Sequence, residues 1–124
     1  MFPENLKYSH DHEWLKMDGE IAIIGITEYA AEQLGDIVFV DVNTVGDTID
    51  QNDVFGSIEA VKTVSDLLLP ISGEIVEFNE ELEANPALIN SDPYNAGWII
   101  KIKPTNVSEM DALLTAEQYK EEIA

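Results

Sequence analysis

The sequence predicts a mainly β fold: an antiparallel barrel or sandwich with short helices at its periphery and a helix at the C-terminus. Three observations carry this. β-branched runs dominate the first half of the chain, the helical signals are short and come with their own caps, and Gly, Pro and Asn signals separate the runs. No low-complexity stretch or linker interrupts them, so residues 1–124 are expected to form one domain.

Taken in order, residues 20–27 (EIAIIGIT) and 36–42 (DIVFVDV) are the first strong strands. Their apolar residues fall on both parities, which predicts burial on both faces. Between them Thr27 can cap a helix of about two turns and Gly35 can end it. Gly46-Asp47 marks a turn. Residues 54–71 are expected to form a hairpin, followed by Ser72-Gly73 and a strand over 74–78, with Pro70 at an edge or bend. A short helical turn is predicted over 80–84, and Asn85-Pro86 pairs a capping residue with a Pro suited to the first helical position. Residues 97–103 (GWIIKIK) alternate, with Trp98, Ile100 and Ile102 on one face and Ile99, Lys101 and Lys103 on the other, as in a half-exposed strand. The tail, about 108–123, turns helical. Ser108 to Asp111 is similar to a capping box, and Thr115-Ala-Glu-Gln118 matches one outright.

Length and composition narrow the function. A chain of 124 residues with 45% apolar content buries roughly two-thirds of its unfolded surface and needs no staples to fold. It has no cysteine, which excludes disulfides, thiol nucleophiles and thiolate metal sites. Six lysines, no arginine and 25 acids give a net charge of −19. Such a surface repels phosphate backbones and anionic lipid, so neither nucleic acid nor membrane is an expected partner. The acidity fits a partner protein with a basic docking face, and equally a role in solubility alone. There is no apolar run of membrane-spanning length and no basic, then apolar, leader pattern at the N-terminus, so the chain reads as cytoplasmic or as an already processed form.

The chemistry centres on Lys62. It lies between two β-prone arms, residues 56–61 and 63–69, with Gly46 sixteen residues before it and Gly73 eleven after; both glycines are expected at turns beneath the hairpin. A lysine on a rigid tip offers one amine on a long aliphatic stem, a good substrate for covalent attachment. The same residue types also fit a plain surface lysine. Residues His10, Asp11, His12 and Glu13 raise a metal site, because an extended segment would put both imidazoles on one face, but a third ligand elsewhere is missing. A structural hydrogen bond is the expected role of His12. Neither a Ser-His-Asp pattern nor a phosphate-binding glycine loop is present.

Four blocks, in order, carry a family resemblance. They are residues 7–14 (KYSHDHEW), 24–27 (IGIT) with 34–38 (LGDIV), 58–62 (IEAVK) with Ser65-Asp66 and 70–74 (PISGE), and 90–94 (NSDPY) with Gly97-Trp98. Over nearly its whole length the chain resembles the H proteins of the glycine cleavage system. The resemblance implies a lipoyl-domain fold, a barrel-sandwich hybrid, acting as a monomeric carrier and not as an enzyme. It implies lipoic acid in amide linkage on Lys62, with Glu59 helping the lipoylating enzyme recognise the tip. It implies as partners glycine decarboxylase, which loads an aminomethyl group, an aminomethyltransferase, which passes the carbon unit on, and dihydrolipoamide dehydrogenase, which restores the disulfide. Glu13 and Asp66 are the matching positions for a cleft that holds the loaded amine. The chain departs from the common pattern at Asp11 and Ala60, where Ser is usual, and at Gln33, where some members have His.

Related carriers fit less well. Biotin carriers typically set their lysine between two Met residues, whereas Val61 and Thr63 flank Lys62. The lipoyl domains of 2-oxoacid dehydrogenases lack the His-Glu-Trp and Gly-Trp blocks. A role as lipoyl donor for other enzymes is the alternative that an intact Lys62 leaves open.

Overall fold

The computed structural model describes residues 2–124. Among the described residues, nine strands and four α-helices follow in the order β1 (Lys7–Tyr8), β2 (Glu13–Asp18), β3 (Ile21–Ile26), α1 (Glu28–Leu34), β4 (Ile37–Asp41), β5 (Thr48–Ile49), β6 (Val54–Ala60), β7 (Val64–Leu68), β8 (Gly73–Phe78), α2 (Glu81–Ala84), α3 (Leu88–Ser91), β9 (Ile100–Pro104), a 3-10 helix (Val107–Ala112) and α4 (Ala116–Ile123). Every strand pairing is antiparallel. One sheet runs β1-β2-β3-β9-β8-β5 and the other β4-β6-β7. The fold is therefore mainly β as expected, and its two sheets, which do not close into a continuous barrel, are compatible with the expected barrel-sandwich hybrid. They enclose a core that draws Leu15, Ile24 and Ile102 from the larger sheet and Val40, Ile58 and Leu67 from the smaller.

A second cluster sits under the C-terminal helix. Leu6, Tyr8 and Trp14 pack there against Ala116 and Tyr119. The Tyr8 and Tyr119 rings stack with centroids 5.0 Å apart. This cluster explains the two-sided burial of β3, since Ile24 belongs to the main core while Ile23 packs against the second cluster.

Several local expectations hold. Thr27 Oγ1 accepts from the Ala30 amide at 3.1 Å and Gly35 ends α1 at φ +82°. The Thr115 box forms in both directions, at 3.0 and 3.2 Å.

Others are corrected. β4 is not buried on both faces: Val38 and Phe39 are 47% and 53% exposed, because a bulge between Ile37 and Phe39 turns two successive side chains outward. Gly73 makes no turn. It is the first residue of β8, and a Cβ there would lie 2.8 Å from the Lys103 carbonyl oxygen, so glycine permits close approach of β9. Asn85-Pro86 precede α3 as a turn, and the helix itself starts after Ala87. Asn106, not Ser108, caps the 3-10 helix, because its side chain reaches the Ser108 amide at 3.2 Å. Ile99 lies just outside β9 and is fully buried, against the half-exposed face expected of it.

Candidate functional site

The β6-β7 hairpin sets the site. The strands pair Glu59 with Val64, and the Ala60 amide donates to the Thr63 carbonyl at 2.8 Å, leaving Val61 and Lys62 at the turn. The Val61 amide donates to the Asp36 carbonyl at 3.0 Å, which ties the tip to the start of β4. The tip is thus tight and fastened, although its sequence has none of the residues that usually make hairpin turns. Lys62 is exposed and makes no ion pair among the described residues. Glu59 is exposed on the outer face of the sheet. Ala60 is buried at 4% exposure and directed inward.

Below the hairpin lies a cleft of about 280 Å³, walled by the 9–13 turn, α1 and β7. Asp11, Glu13 and Asp66 line it together with His12, Gln33 and Ser65, over an apolar floor that includes Ile26, Ile58 and Leu67. The fold therefore brings Glu13 and Asp66, 53 residues apart in sequence, to one cavity. Lys62 and Glu59 are not part of its lining.

Glu13 is the unusual group. It is only 3% exposed, and burial pushes its carboxyl up to about 8. A hydrogen bond from Ser9 opposes this, Asp11 reinforces it, and the amides of Leu68 and of Glu13 itself oppose it. Ser9 Oγ donates to Glu13 Oε1 at 2.6 Å and accepts from the Glu13 amide at 3.0 Å. Burial thus favours the uncharged form of this carboxyl. A cation placed beside it would favour ionisation and pair with it. Asp66 is exposed at the rim.

The 9–13 segment is not the extended strand that a two-imidazole face requires. It turns, with His12 at φ +70° and its amide donating to the Ser9 carbonyl at 3.2 Å. His10 points to Glu122, and His12 Nδ1 lies 2.8 Å from the Tyr119 hydroxyl. Among the described residues no three His, Asp or Glu side chains are arranged so that they could hold a metal ion, and His12 makes a structural hydrogen bond as expected.

Sequence reasoning missed Ser9 and Tyr119. Ser9 is part of the KYSHDHEW block but carries no pattern of its own. Tyr119 reaches Thr27 and His12 from more than ninety residues away, and only the docking of α4 makes that contact. Other elements of the resemblance act as braces. Trp14 Nε1 donates to the Pro93 carbonyl at 3.0 Å, and Asn90 joins the Ile37 amide to the Gly35 carbonyl at 3.0 and 2.9 Å.

Comparisons with known proteins identify the family. The family model described as glycine cleavage H-protein matches residues 6–124. The glycine cleavage system H protein of Bacteroides fragilis is 58% identical over 119 residues, covering 96% of this chain and 94% of the relative. That of Bacteroides thetaiotaomicron is 60% identical with the same coverage. The crystal structure of a glycine cleavage system H protein from Mycobacterium marinum superposes with a TM-score of 0.89 at 41% identity, covering 98% of each chain. The chain belongs to the glycine cleavage H-protein family.

Proposed function

We propose that this protein is the lipoyl carrier of a glycine cleavage system, with lipoic acid attached to Lys62 through an amide. The observation that carries the reading is the placement of Lys62: an exposed lysine on a fastened hairpin tip, next to a cleft lined by Glu13 and Asp66. The cleft suits such an arm. Its floor is apolar, as an aliphatic chain requires, and its acidic residues match a protonated amine. A bound lipoyl group would supply reversible disulfide chemistry and a sulfur on which an aminomethyl group can be carried.

The protein's own residues do the rest. The turn presents Lys62 without the entropy of a floppy loop. Glu59 marks the tip for the lipoylating enzyme. Glu13 and Asp66 hold the amine in the cleft and keep it from water. Partners in this reading are glycine decarboxylase, aminomethyltransferase and dihydrolipoamide dehydrogenase, with the chain itself a non-catalytic monomer in the cytoplasm. Among the described residues, no helix is long and apolar enough to cross a membrane.

Intact mass of protein made in lipoate-fed cells tests this. One lipoyl increment, mapped by peptide analysis to Lys62, is the expected result. An unmodified Lys62 or a biotin increment rejects it.

A further inference from the structure

His12 stands at φ +70°, a left-handed backbone that residues with a Cβ rarely adopt and that persists where the surroundings hold it. It immediately precedes Glu13 and lines the same cleft. Two contacts hold it. Its carbonyl accepts from the Thr27 amide at 3.0 Å, and its Nδ1 lies 2.8 Å from the Tyr119 hydroxyl.

The second contact reaches further than His12. The same Tyr119 hydroxyl lies 2.8 Å from Thr27 Oγ1, the oxygen that caps α1 by accepting from the Ala30 amide at 3.1 Å. α1 is one wall of the cleft, with Tyr29 and Gln33, and the 9–13 turn is another, with Asp11 and Glu13. One buried hydroxyl on α4 therefore bonds to a residue of each wall or its cap, although Tyr119 does not itself line the cleft. The other contact between α4 and this turn, Glu122 with His10, is exposed and worth little beside it.

We propose that Tyr119 is a positioning residue for the cleft: through His12 and Thr27 its hydroxyl fixes the 9–13 turn against the start of α1, and so sets where the Glu13 carboxyl meets an amine on the Lys62 arm. The proposal rests on the carrier reading of Lys62 and on Glu13 as the partner of that amine. A hydrogen bond between an ammonium and a carboxylate spans only about 2.7–2.9 Å. Relaxation of His12 toward an ordinary φ moves the backbone of Glu13 and costs the pair this geometry. Cargo is lost by hydrolysis: water's oxygen bonds to the methylene carbon, the C–N and C–S bonds break, formaldehyde and ammonia leave, and the sulfur keeps a proton. Water reaches a loosened amine sooner.

Tyr8 supplies a matched control. Its ring stacks on Tyr119, it is equally buried, and its hydroxyl donates at 2.6 Å to the Pro3 carbonyl; neither Tyr8 nor Pro3 lines the cleft. Tyr119→Phe and Tyr8→Phe each remove one oxygen from the full-length protein. In the unmodified proteins, amide hydrogen exchange at His12, Glu13 and Thr27 rises about tenfold in Tyr119→Phe and stays within about twofold of wild type in Tyr8→Phe. In lipoylated proteins loaded with glycine and purified glycine decarboxylase, formaldehyde release is about fivefold faster in Tyr119→Phe, the scale of one lost hydrogen bond, and within about twofold of wild type in Tyr8→Phe. His12→Ala speeds release as Tyr119→Phe does. His12→Asn tolerates the left-handed backbone, sets Oδ1 where Nδ1 stood, and recovers most of the loss. Melting temperatures establish folding, and the His12 pair carries the test if Tyr119→Phe does not fold. Exchange or release at its wild-type value in Tyr119→Phe overturns the proposal and leaves the carrier reading standing. Equal changes in the two tyrosine variants also overturn it, since Tyr119 then serves stability alone. If the wild type gains no lipoyl group at Lys62, or keeps its cargo no longer than Glu13→Ala does, the reading beneath the proposal falls and takes the proposal with it.

Discussion

Ser9 donates a 2.6 Å hydrogen bond to the buried carboxyl of Glu13 while accepting one from the Glu13 amide. This reciprocal pair keeps a carboxyl inside the protein next to a cleft, with its polar atoms satisfied. Two consequences follow, one for stability and one for cargo.

Burial raises the Glu13 carboxyl from its ordinary 4.5 to about 8, so the folded state binds its proton more tightly than the unfolded chain. The stability contributed by the neutral form is complete below pH 4.5, declines as pH rises, and is lost by about pH 8. Glu13→Gln keeps a neutral side chain at every pH. Its stability should therefore fall less steeply than wild type between pH 5 and 8, with a gap at pH 8 of at most about 5 kcal/mol. Urea titrations at several pH values measure it, and parallel curves would contradict it.

For cargo, Glu13→Ala should leave attachment at Lys62 intact and shorten the lifetime of the aminomethyl-loaded form. Release of formaldehyde and ammonia from pre-loaded protein reads this directly. An unchanged lifetime would remove Glu13 from the amine-holding role.

Lys62→Arg retains the positive charge and the length of the stem but offers no amine for amide formation. No lipoyl increment should form in this variant, and its melting temperature should match wild type because the side chain is exposed. A variant that still gains the increment would place attachment on another lysine.

Tyr119 couples the C-terminal helix to the cleft. Its hydroxyl lies 2.8 Å from both Thr27 Oγ1 and His12 Nδ1, and desolvation by burial pushes the phenol up to about 12. Tyr119→Phe should cost about 1–2 kcal/mol, the scale of buried hydrogen bonds lost with their partners left behind. Denaturant unfolding checks the magnitude. A variant as stable as wild type would mean that water replaces the hydroxyl at no cost.

Gly25 lies against the Trp14 indole. A Cβ at this position would stand 2.7 Å from Nε1, closer than real contacts allow. Gly25→Ala should therefore destabilise by about 1–3 kcal/mol through overpacking and disturb the Trp14–Pro93 hydrogen bond. Thermal melts and tryptophan emission report the two effects separately.

Much of this protein was legible from its residues alone. Thr27 and Gly35 bound a helix, and Thr115 with Gln118 opened another, because caps are local chemistry that acts within one turn. The strand runs were legible from their β-branched content, and the family from four ordered blocks. The hairpin apex was less so, since the Ala60–Thr63 turn carries none of the usual turn residues and is fastened by Asp36, just before β4. What only the tertiary structure decided is what distant segments do to one another. Glu13 became a buried carboxyl, and Asp66 a residue of the same cleft, because the fold sets the β1-β2 turn and β7 on its two sides. Val38 and Phe39 became surface because of one extra residue in a ladder, which reverses a side chain's face without changing its chemistry. Lys62 itself was marked by sequence; its fastened apex comes from a pairing register and a tie to Asp36 that no short pattern encodes.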